Sequence, residues 1–167
     1  CPVVSRAISK RLKVPTIFPP DAESPNELNP TGARYVCDGV WTNATPRQIL
    51  PLAGRFFSNT PTEKSFMLWM CWGPVQQLPD MAYSLQGDTY LSPTTISYEP
   101  DDDARCAAWA ADCIQELQPI SLGGQMNDDN MAVNRMRYLS PSVERRLEAM
   151  RAKYDPQRRF AGFLRTG

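Results

Sequence analysis

The chain has 167 residues, which suffices for one domain of ordinary size or for part of a larger enzyme. Its 18 basic and 18 acidic residues balance, and a net charge of zero gives no reason to expect nucleic acid or an anionic membrane surface as a partner. The absence of histidine excludes a Ser-His-Asp triad, a Cys-His pair and the usual histidine-containing zinc sites.

The N-terminal part, residues 1–32, is predicted to be an irregular, proline-rich lead-in to a single subdomain over residues 33–167. Residues 15–30 hold five of the 16 prolines of the chain, together with several turn formers. The start at Cys1 rather than Met indicates that sequence upstream was removed or not included. Neither a secretory signal nor a membrane span is expected, because the start lacks an apolar segment and the longest apolar run, residues 66–72, is too short.

Three segments are predicted to be strands, over residues 34–42, 64–72 and 88–98. The first mixes aromatic and β-branched residues. The second is apolar almost throughout, which favours a strand buried on both faces or at the centre of a sheet. The third contains Pro93, which favours an edge position or a bulge.

Three further segments are predicted to be helices, over residues 46–58, 102–117 and 141–153. Thr45 and Gln48 are spaced as a capping box around Pro46 at the start of the first. Asp101–Asp103 opens the second, where three carboxylates favour the positive end of the helix dipole. The same triplet suggests a metal site as an alternative, but no other oxygen ligands follow at loop spacing. The predicted apolar stripe of this helix consists of Cys106, Trp109, Ala110, Cys113 and Leu117.

Five cysteines occur at scattered spacing without a CxxC pair. Cys106 and Cys113 are seven residues apart, so on a helix they share one face about 10 Å apart, which is too far for a disulfide. Both are predicted to be unpaired and largely buried. Free thiols of this kind are typical of a reducing compartment, so a cytoplasmic location is expected.

The last helix begins at the Ser140-Pro141 cap and ends before Asp155-Pro156, because the residue before proline is disfavoured in the α conformation. Tyr154 is predicted to pack inward from its last turn, and Phe160 to anchor the tail beyond the proline. The core-facing stripe of this last helix is predicted to consist of Val143, Leu147, Met150 and Tyr154. Strands and helices in this order, with long connections, predict an α+β fold in which helices cover one face of an antiparallel sheet.

Four phrases in order resemble the C-terminal half of the berberine-bridge-enzyme-like FAD-linked oxidases, which are relatives of vanillyl-alcohol oxidase. They are residues 37–42 (CDGVWT), 64–74 (KSFMLWMCWGP), 80–113 (DMAYSLQG through AADC) and 123–160 (GGQMNDDN through YDPQRRF). Their order and spacing are more specific than any one of them. The similarity extends from near Tyr35 to the end of the chain.

The resemblance implies the substrate-binding subdomain of an FAD-dependent oxidoreductase that acts on a small alcohol, amine or sugar-like molecule. The FAD-binding domain of such enzymes is missing from this chain, so FAD would come from an upstream or separate domain. Asn127 and Gln125 are the implied cofactor-binding residues. Many family members have a tyrosine where this chain has Gln125, and an amide cannot abstract a proton at neutral pH.

Several of the implied site residues have a structural interpretation beside the functional one. The catalytic candidates are Tyr83, Tyr90 and Gln125, and the substrate-binding candidates are Tyr83, Gln86 and Trp72; no metal ligand is expected. Asn127 can equally belong to a turn, the two tyrosines to sheet packing, and Trp72 to the core. The alternative to an enzyme part is a non-catalytic binding or structural module that is derived from one.

Overall fold

The computed structural model of the chain describes residues 30–72, 81–83, 85–131 and 136–160. The predicted lead-in segment, residues 1–32, therefore lies almost entirely outside the described residues. The residues from Gly32 onward belong to one compact unit. Its elements are β1 (Arg34–Cys37), β2 (Val40–Thr42), α1 (Pro46–Ser58), β3 (Phe66–Cys71), β4 (Thr89–Ser97), α2 (Asp103–Leu117) and α3 (Pro141–Tyr154), with short 3₁₀ turns at Pro100–Asp102 and Gln118–Ile120.

The sheet is antiparallel and is built around β4. β3 pairs with one side of β4, whereas β1 and β2 pair one after the other with its other side. Cys37 lies opposite Thr94 and Val40 lies opposite Leu91, so the register is continuous across the gap between β1 and β2. This arrangement confirms the α+β fold with an antiparallel sheet.

The sequence placed β3 at the centre of the sheet and β4 at an edge or a bulge, and this prediction is wrong. β4 is the central strand although it contains Pro93, and β3 pairs only with β4 among the described residues. Pro93 is accommodated because it lies opposite the gap between β1 and β2, where the backbone hydrogen-bond ladder is interrupted. There the Asp38 N–H donates to the Pro93 carbonyl at 3.4 Å, and the Asp38 carbonyl accepts from the Ser92 hydroxyl at 2.7 Å. A side-chain hydroxyl thus replaces the N–H that proline lacks.

α1 and α2 pack against each other and against the sheet face that carries Val40, Met67 and Leu91. α1 has the predicted bounds, and Gln48 Oε1 accepts hydrogen bonds from the Thr45 N–H and hydroxyl, both at 2.9 Å. Arg34 of β1 forms an ion pair with Asp103 at the start of α2. The core cluster consists of Val40, Ile49, Ala53, Phe56, Met67, Leu91, Cys113, Ile114, Leu117, Met136 and Tyr138.

The two thiols of α2 are buried, as their spacing predicts. Cys106 is 2% exposed and Cys113 is fully buried, and neither is disulfide-bonded. Burial raises the pKa of the Cys113 thiol to about 12, so it stays protonated at neutral pH. Cys113 belongs to the core cluster, where its sulfur lies 3.7 Å from that of Met67 in β3, and it acts there as a small apolar side chain.

α3 begins at the predicted residue and ends one residue later than predicted, but its C-terminal half does not pack inward. Val143 is buried, whereas Met150, Tyr154 and Phe160 are 56%, 69% and 77% exposed. The prediction that Tyr154 and Phe160 anchor the tail is therefore wrong for the described part of the chain. The tail is instead held by Asp155, whose carboxylate accepts the N–H groups of residues 159 and 160 at 2.7 and 3.0 Å. The apolar stripe has helical spacing, but spacing alone does not place another element against it.

The helices within the described ranges include none that is both long enough and apolar enough to cross a membrane.

Candidate ligand pocket

A cavity of about 420 Å³ opens on the sheet face opposite α1 and α2. Trp41 and Met70 place it there, because they lie in register with Tyr90, and successive side chains of a strand alternate between the two faces. The described residues that line the cavity are Trp41, Met70, Trp72, Tyr83, Gln86, Gln125, Met126 and Asn127. They include every predicted site residue except Tyr90.

Tyr90 lies beneath the pocket rather than in its wall. Its side chain is 2% exposed, and its ring packs on Trp41 with the centroids 4.7 Å apart. The hydroxyl donates to Asp128 Oδ2 at 3.0 Å. Burial, followed by the charge of Asp128, raises the pKa of Tyr90 far above its usual range, so this side chain remains a hydrogen-bond donor.

Gln125 connects Tyr83 to Asp128. The Tyr83 hydroxyl donates to Gln125 Oε1 at 3.0 Å, and Gln125 Nε2 donates to Asp128 Oδ2 at 2.9 Å. The ring of Tyr83 meets Trp41 edge-on with the centroids 6.4 Å apart. Burial raises the pKa of Tyr83, so it is protonated at neutral pH. Both ends of the Gln125 amide are occupied, so Gln125 is suited to orienting Tyr83.

The segment 123–130, which carries Gln125 and Asn127, is attached to β2 through its backbone. The Trp41 N–H donates to the Gly123 carbonyl at 2.8 Å, and the Leu122 N–H donates to the Trp41 carbonyl at 2.7 Å. A side chain at Gly123 would not fit, because a Cβ there would stand 2.3 Å from the Arg137 carbonyl oxygen. These contacts hold the segment beside the mouth of the pocket.

Two aspartates connect residues 38–39 to residues 129–130, each accepting a backbone N–H from the other segment. Asp129 Oδ1 accepts the Gly39 N–H at 2.8 Å, and Asp38 Oδ1 accepts the Asn130 N–H at 2.8 Å. Burial raises the pKa of Asp129 to about 7, an effect that the nearby negative charge of Asp38 adds to and hydrogen bonds from Tyr138 and Gly39 partly offset. Sequence reasoning missed both aspartates. The sequence signals that could have indicated them are Asp38-Gly39, which interrupts a strand-like segment, and Asp128-Asp129 in the turn.

Asn127 lies exposed at the rim of the pocket. The turn around it is formed by the Gln125 carbonyl, which accepts the N–H groups of Asp128 and Asp129 at 3.0 and 3.1 Å. The amides of Asn127 and Gln86 make no hydrogen bond to any described residue. Both are therefore available to a ligand.

Trp72 forms part of the pocket wall and is 55% exposed. Its N–H backbone group donates to the Asp88 carbonyl at 2.7 Å, which continues the β3–β4 pairing by one residue. Its side chain is therefore outside the core cluster.

The described lining residues carry no charge. The part of the chain that the structure describes also contains no group of three His, Cys, Asp or Glu residues that could hold a metal ion, so the Asp101–Asp103 triplet serves as a helix start there. The walls combine aromatic and thioether surface with neutral hydrogen-bonding groups. Such a lining suits a planar, uncharged group.

The chain is similar to fungal proteins that are named FAD-linked oxidoreductases. It is 33% identical to FAD-linked oxidoreductase ptmO of Penicillium ochrochloron over 149 residues, which are 88% of this chain and 33% of that protein. It is 33% identical to penO of Penicillium crustosum over 133 residues, and 28% identical to nodO of Hypoxylon pulicicidum over 156 residues. These matches cover 78% and 90% of this chain, and 29% and 34% of the respective relatives.

The chain therefore spans about a third of the length of the curated relatives that it matches. No family model and no solved structure matches it. The similarity relates most of this chain to one part of an FAD-linked oxidoreductase.

Proposed function

We propose that this chain is the substrate-binding part of a berberine-bridge-enzyme-like FAD-dependent oxidoreductase that acts on a small alcohol, amine or sugar-like molecule. FAD is held mainly by a domain outside this chain, upstream or separate. The observation that carries the proposal is the convergence on one pocket of four stretches of the chain, which contribute residue 41, residues 70 and 72, residues 83 and 86, and residues 125–127. The names of the relatives support the class of cofactor.

The pocket suits the ring system of a flavin better than its diphosphate. The side-chain amide of Asn127, which makes no hydrogen bond to a described residue, matches the alternating donors and acceptors along the edge of an isoalloxazine ring. None of the described lining residues is cationic, and diphosphates are usually bound by cationic side chains or by helix N-termini. This is why the proposal assigns the rest of the cofactor to another domain.

The predicted site residues that line the pocket have separate roles in this proposal. FAD, when bound, supplies the acceptor for the hydride that the substrate loses. Asn127 lies toward the ring of the cofactor, while Gln86 and Trp72 shape the substrate side. Tyr83, held by Gln125, orients the substrate through its hydroxyl oxygen.

A non-catalytic module is the second candidate, and the contacts of Gln125 favour it. Where many family members have a tyrosine, this chain has an amide whose two ends are committed to Tyr83 and Asp128. Such a group cannot accept a proton from a substrate at neutral pH. A pocket that binds without oxidising is consistent with this arrangement.

A chimera tests the proposal. This chain replaces the matching third of ptmO from Penicillium ochrochloron, and the purified protein is examined by visible absorption for bound flavin. We expect the chimera to retain flavin, and Asn127→Ala to shift its absorption bands or weaken its retention. The matched control is Asn59→Ala at the end of α1, far from the pocket in the fold, which should leave the spectrum unchanged.

The isolated 167-residue chain should not hold FAD tightly. Submicromolar binding by that chain, or a chimera that folds by circular dichroism yet takes up no flavin, contradicts the proposal. Anaerobic mixing with alcohols, amines and sugars then separates the two candidates. Bleaching of the flavin absorption by one of these classes supports the enzyme part, and a chimera that binds flavin but is reduced by none of them supports the non-catalytic module.

A further inference from the structure

We infer that the pocket selects an uncharged, largely apolar molecule that donates a hydrogen bond to the hydroxyl oxygen of Tyr83, and that Asp128 sets this preference from behind the pocket. The inference rests on the proposed function only in calling that molecule a substrate. Asp128 is not among the described residues that line the pocket, and it is therefore a positioning residue.

The directions of the hydrogen bonds from Tyr83 to Gln125 and from Gln125 to Asp128 follow from the carboxylate of Asp128. A carboxylate oxygen only accepts, so the group of Gln125 that lies 2.9 Å from Asp128 Oδ2 is its NH₂. The Gln125 carbonyl oxygen then faces Tyr83 and accepts the tyrosine proton at 3.0 Å. A hydroxyl has one proton, so Tyr83 presents only lone pairs to a ligand.

Two further contacts keep Asp128 in place. The Tyr90 hydroxyl donates to the same oxygen, Asp128 Oδ2, at 3.0 Å. The Asp128 N–H donates to the Gln125 carbonyl at 3.0 Å, which closes the turn. Because Tyr90 is 2% exposed, its end of the network is fixed by the packing of the sheet. The orientation of the Gln125 amide is thus set by Asp128 and the buried Tyr90 before any ligand arrives.

The walls determine the rest of the ligand class. Trp41, Met70, Trp72 and Met126 provide apolar surface, and the described lining residues include no ion partner for a charged ligand. The neutral amides of Asn127 and Gln86 would replace only part of the hydration that a charged group loses on entry. A neutral ring with one O–H or N–H group satisfies both the walls and Tyr83.

Three matched probes test the inference on the 167-residue chain without flavin. They are 2-naphthol, which is neutral and donates; 2-methoxynaphthalene, which has lost the donor; and 2-naphthoate, which is an anion. Dissociation constants are measured by isothermal titration calorimetry at pH 7. We expect 2-naphthol to bind about tenfold more tightly than 2-methoxynaphthalene, which is the size of effect that one hydrogen bond gives, and 2-naphthoate to bind most weakly.

Variants separate positioning from simple packing. Asp128→Asn can both donate and accept, so it releases the orientation of Gln125 and should reduce the tenfold preference to near equality. Tyr83→Phe keeps the ring and removes the acceptor oxygen, and it should abolish the preference as well. The control is Asp112→Asn on the exposed face of α2, which should retain it.

The inference is overturned if the wild-type chain binds none of the probes, binds them equally or prefers 2-naphthoate. It is also overturned if either pocket variant folds and keeps the full preference. If Asp128→Asn fails to fold by circular dichroism, Gln125→Leu takes its place, because it removes the amide that Asp128 orients and should also lose the preference. A chimera without flavin uptake, together with an intact probe preference, would contradict the proposed function but not the ligand class.

Discussion

Gly39 lies against the hydroxyl end of Tyr90, where a larger residue does not fit. A Cβ at this position would stand 2.1 Å from Tyr90 Oη. Gly39→Ala should therefore push Tyr90 away from Asp128 and lower the free energy of unfolding by about 1–3 kcal/mol, as measured by denaturant titration. The matched control is Gly54→Ala in α1, where a Cβ meets nothing within 4 Å. Alanine is the better helix former, so the control should be neutral or stabilising by up to about 1 kcal/mol. A Gly39→Ala protein that is as stable as wild type would contradict this account.

Among the elements, β4 depends on Ser92 to remain a central strand next to its own proline. The Ser92 hydroxyl donates at 2.7 Å to the carbonyl of buried Asp38, whose N–H donates to the Pro93 carbonyl. Ser92→Ala leaves that carbonyl without this donor and should cost about 1–3 kcal/mol of unfolding free energy. Ser58→Ala, at the exposed end of α1, should change stability by less than about 0.5 kcal/mol. Equal effects of the two substitutions in thermal or chemical unfolding would show that the hydroxyl is not needed.

α3 is attached to the rest of the fold at its first turn. Val143→Ala should lower the free energy of unfolding by about 1–3 kcal/mol, because Val143 is 6% exposed. Phe160→Ala should change it by less than about 0.5 kcal/mol, because Phe160 is 77% exposed. The two variants are compared by urea titration of the 167-residue chain. A loss of several kcal/mol in Phe160→Ala would restore the inward-packed tail that the sequence suggested.

For the whole molecule, Asp129 gives a predictable dependence of stability on pH. Its pKa is about 7 in the folded chain and about 4 for a free aspartate. Between these values the folded state binds a proton that the unfolded state does not, so the contribution of Asp129 to stability falls as the pH rises from 4 to 7 and is level above that. Asp129→Asn removes this titration and keeps an oxygen for the Gly39 N–H.

Melting temperatures of wild type and Asp129→Asn at pH 5 and pH 8 measure the effect. Wild type should lose stability relative to the variant on going from pH 5 to pH 8. Comparison at each pH cancels contributions from other groups. Asp103 does not interfere, because Arg34 lowers its pKa and its contribution changes only below this pH range. A constant difference between the two proteins would show that Asp129 titrates as it does in water.

The helices were determined by the sequence itself. Thr45 with Gln48 begins α1, Ser140 with Pro141 begins α3, and the spacing of Cys106 and Cys113 predicts the buried face of α2. These signals are sufficient because caps, proline positions and apolar periodicity act within a few residues of the chain. The site candidates came from the resemblance of whole phrases, and all of them except Tyr90 line one pocket.

Only the tertiary structure decided which strand lies at the centre of the sheet and how the pocket is held. The position of β4 depends on Asp38 and Ser92, residues 54 apart in the chain, whose contact compensates for Pro93. The Tyr83–Gln125 and Tyr90–Asp128 contacts join residues 42 and 38 apart. Polar contacts of this kind leave no periodic pattern in a single sequence, because each requires two distant segments to be folded against each other before it exists.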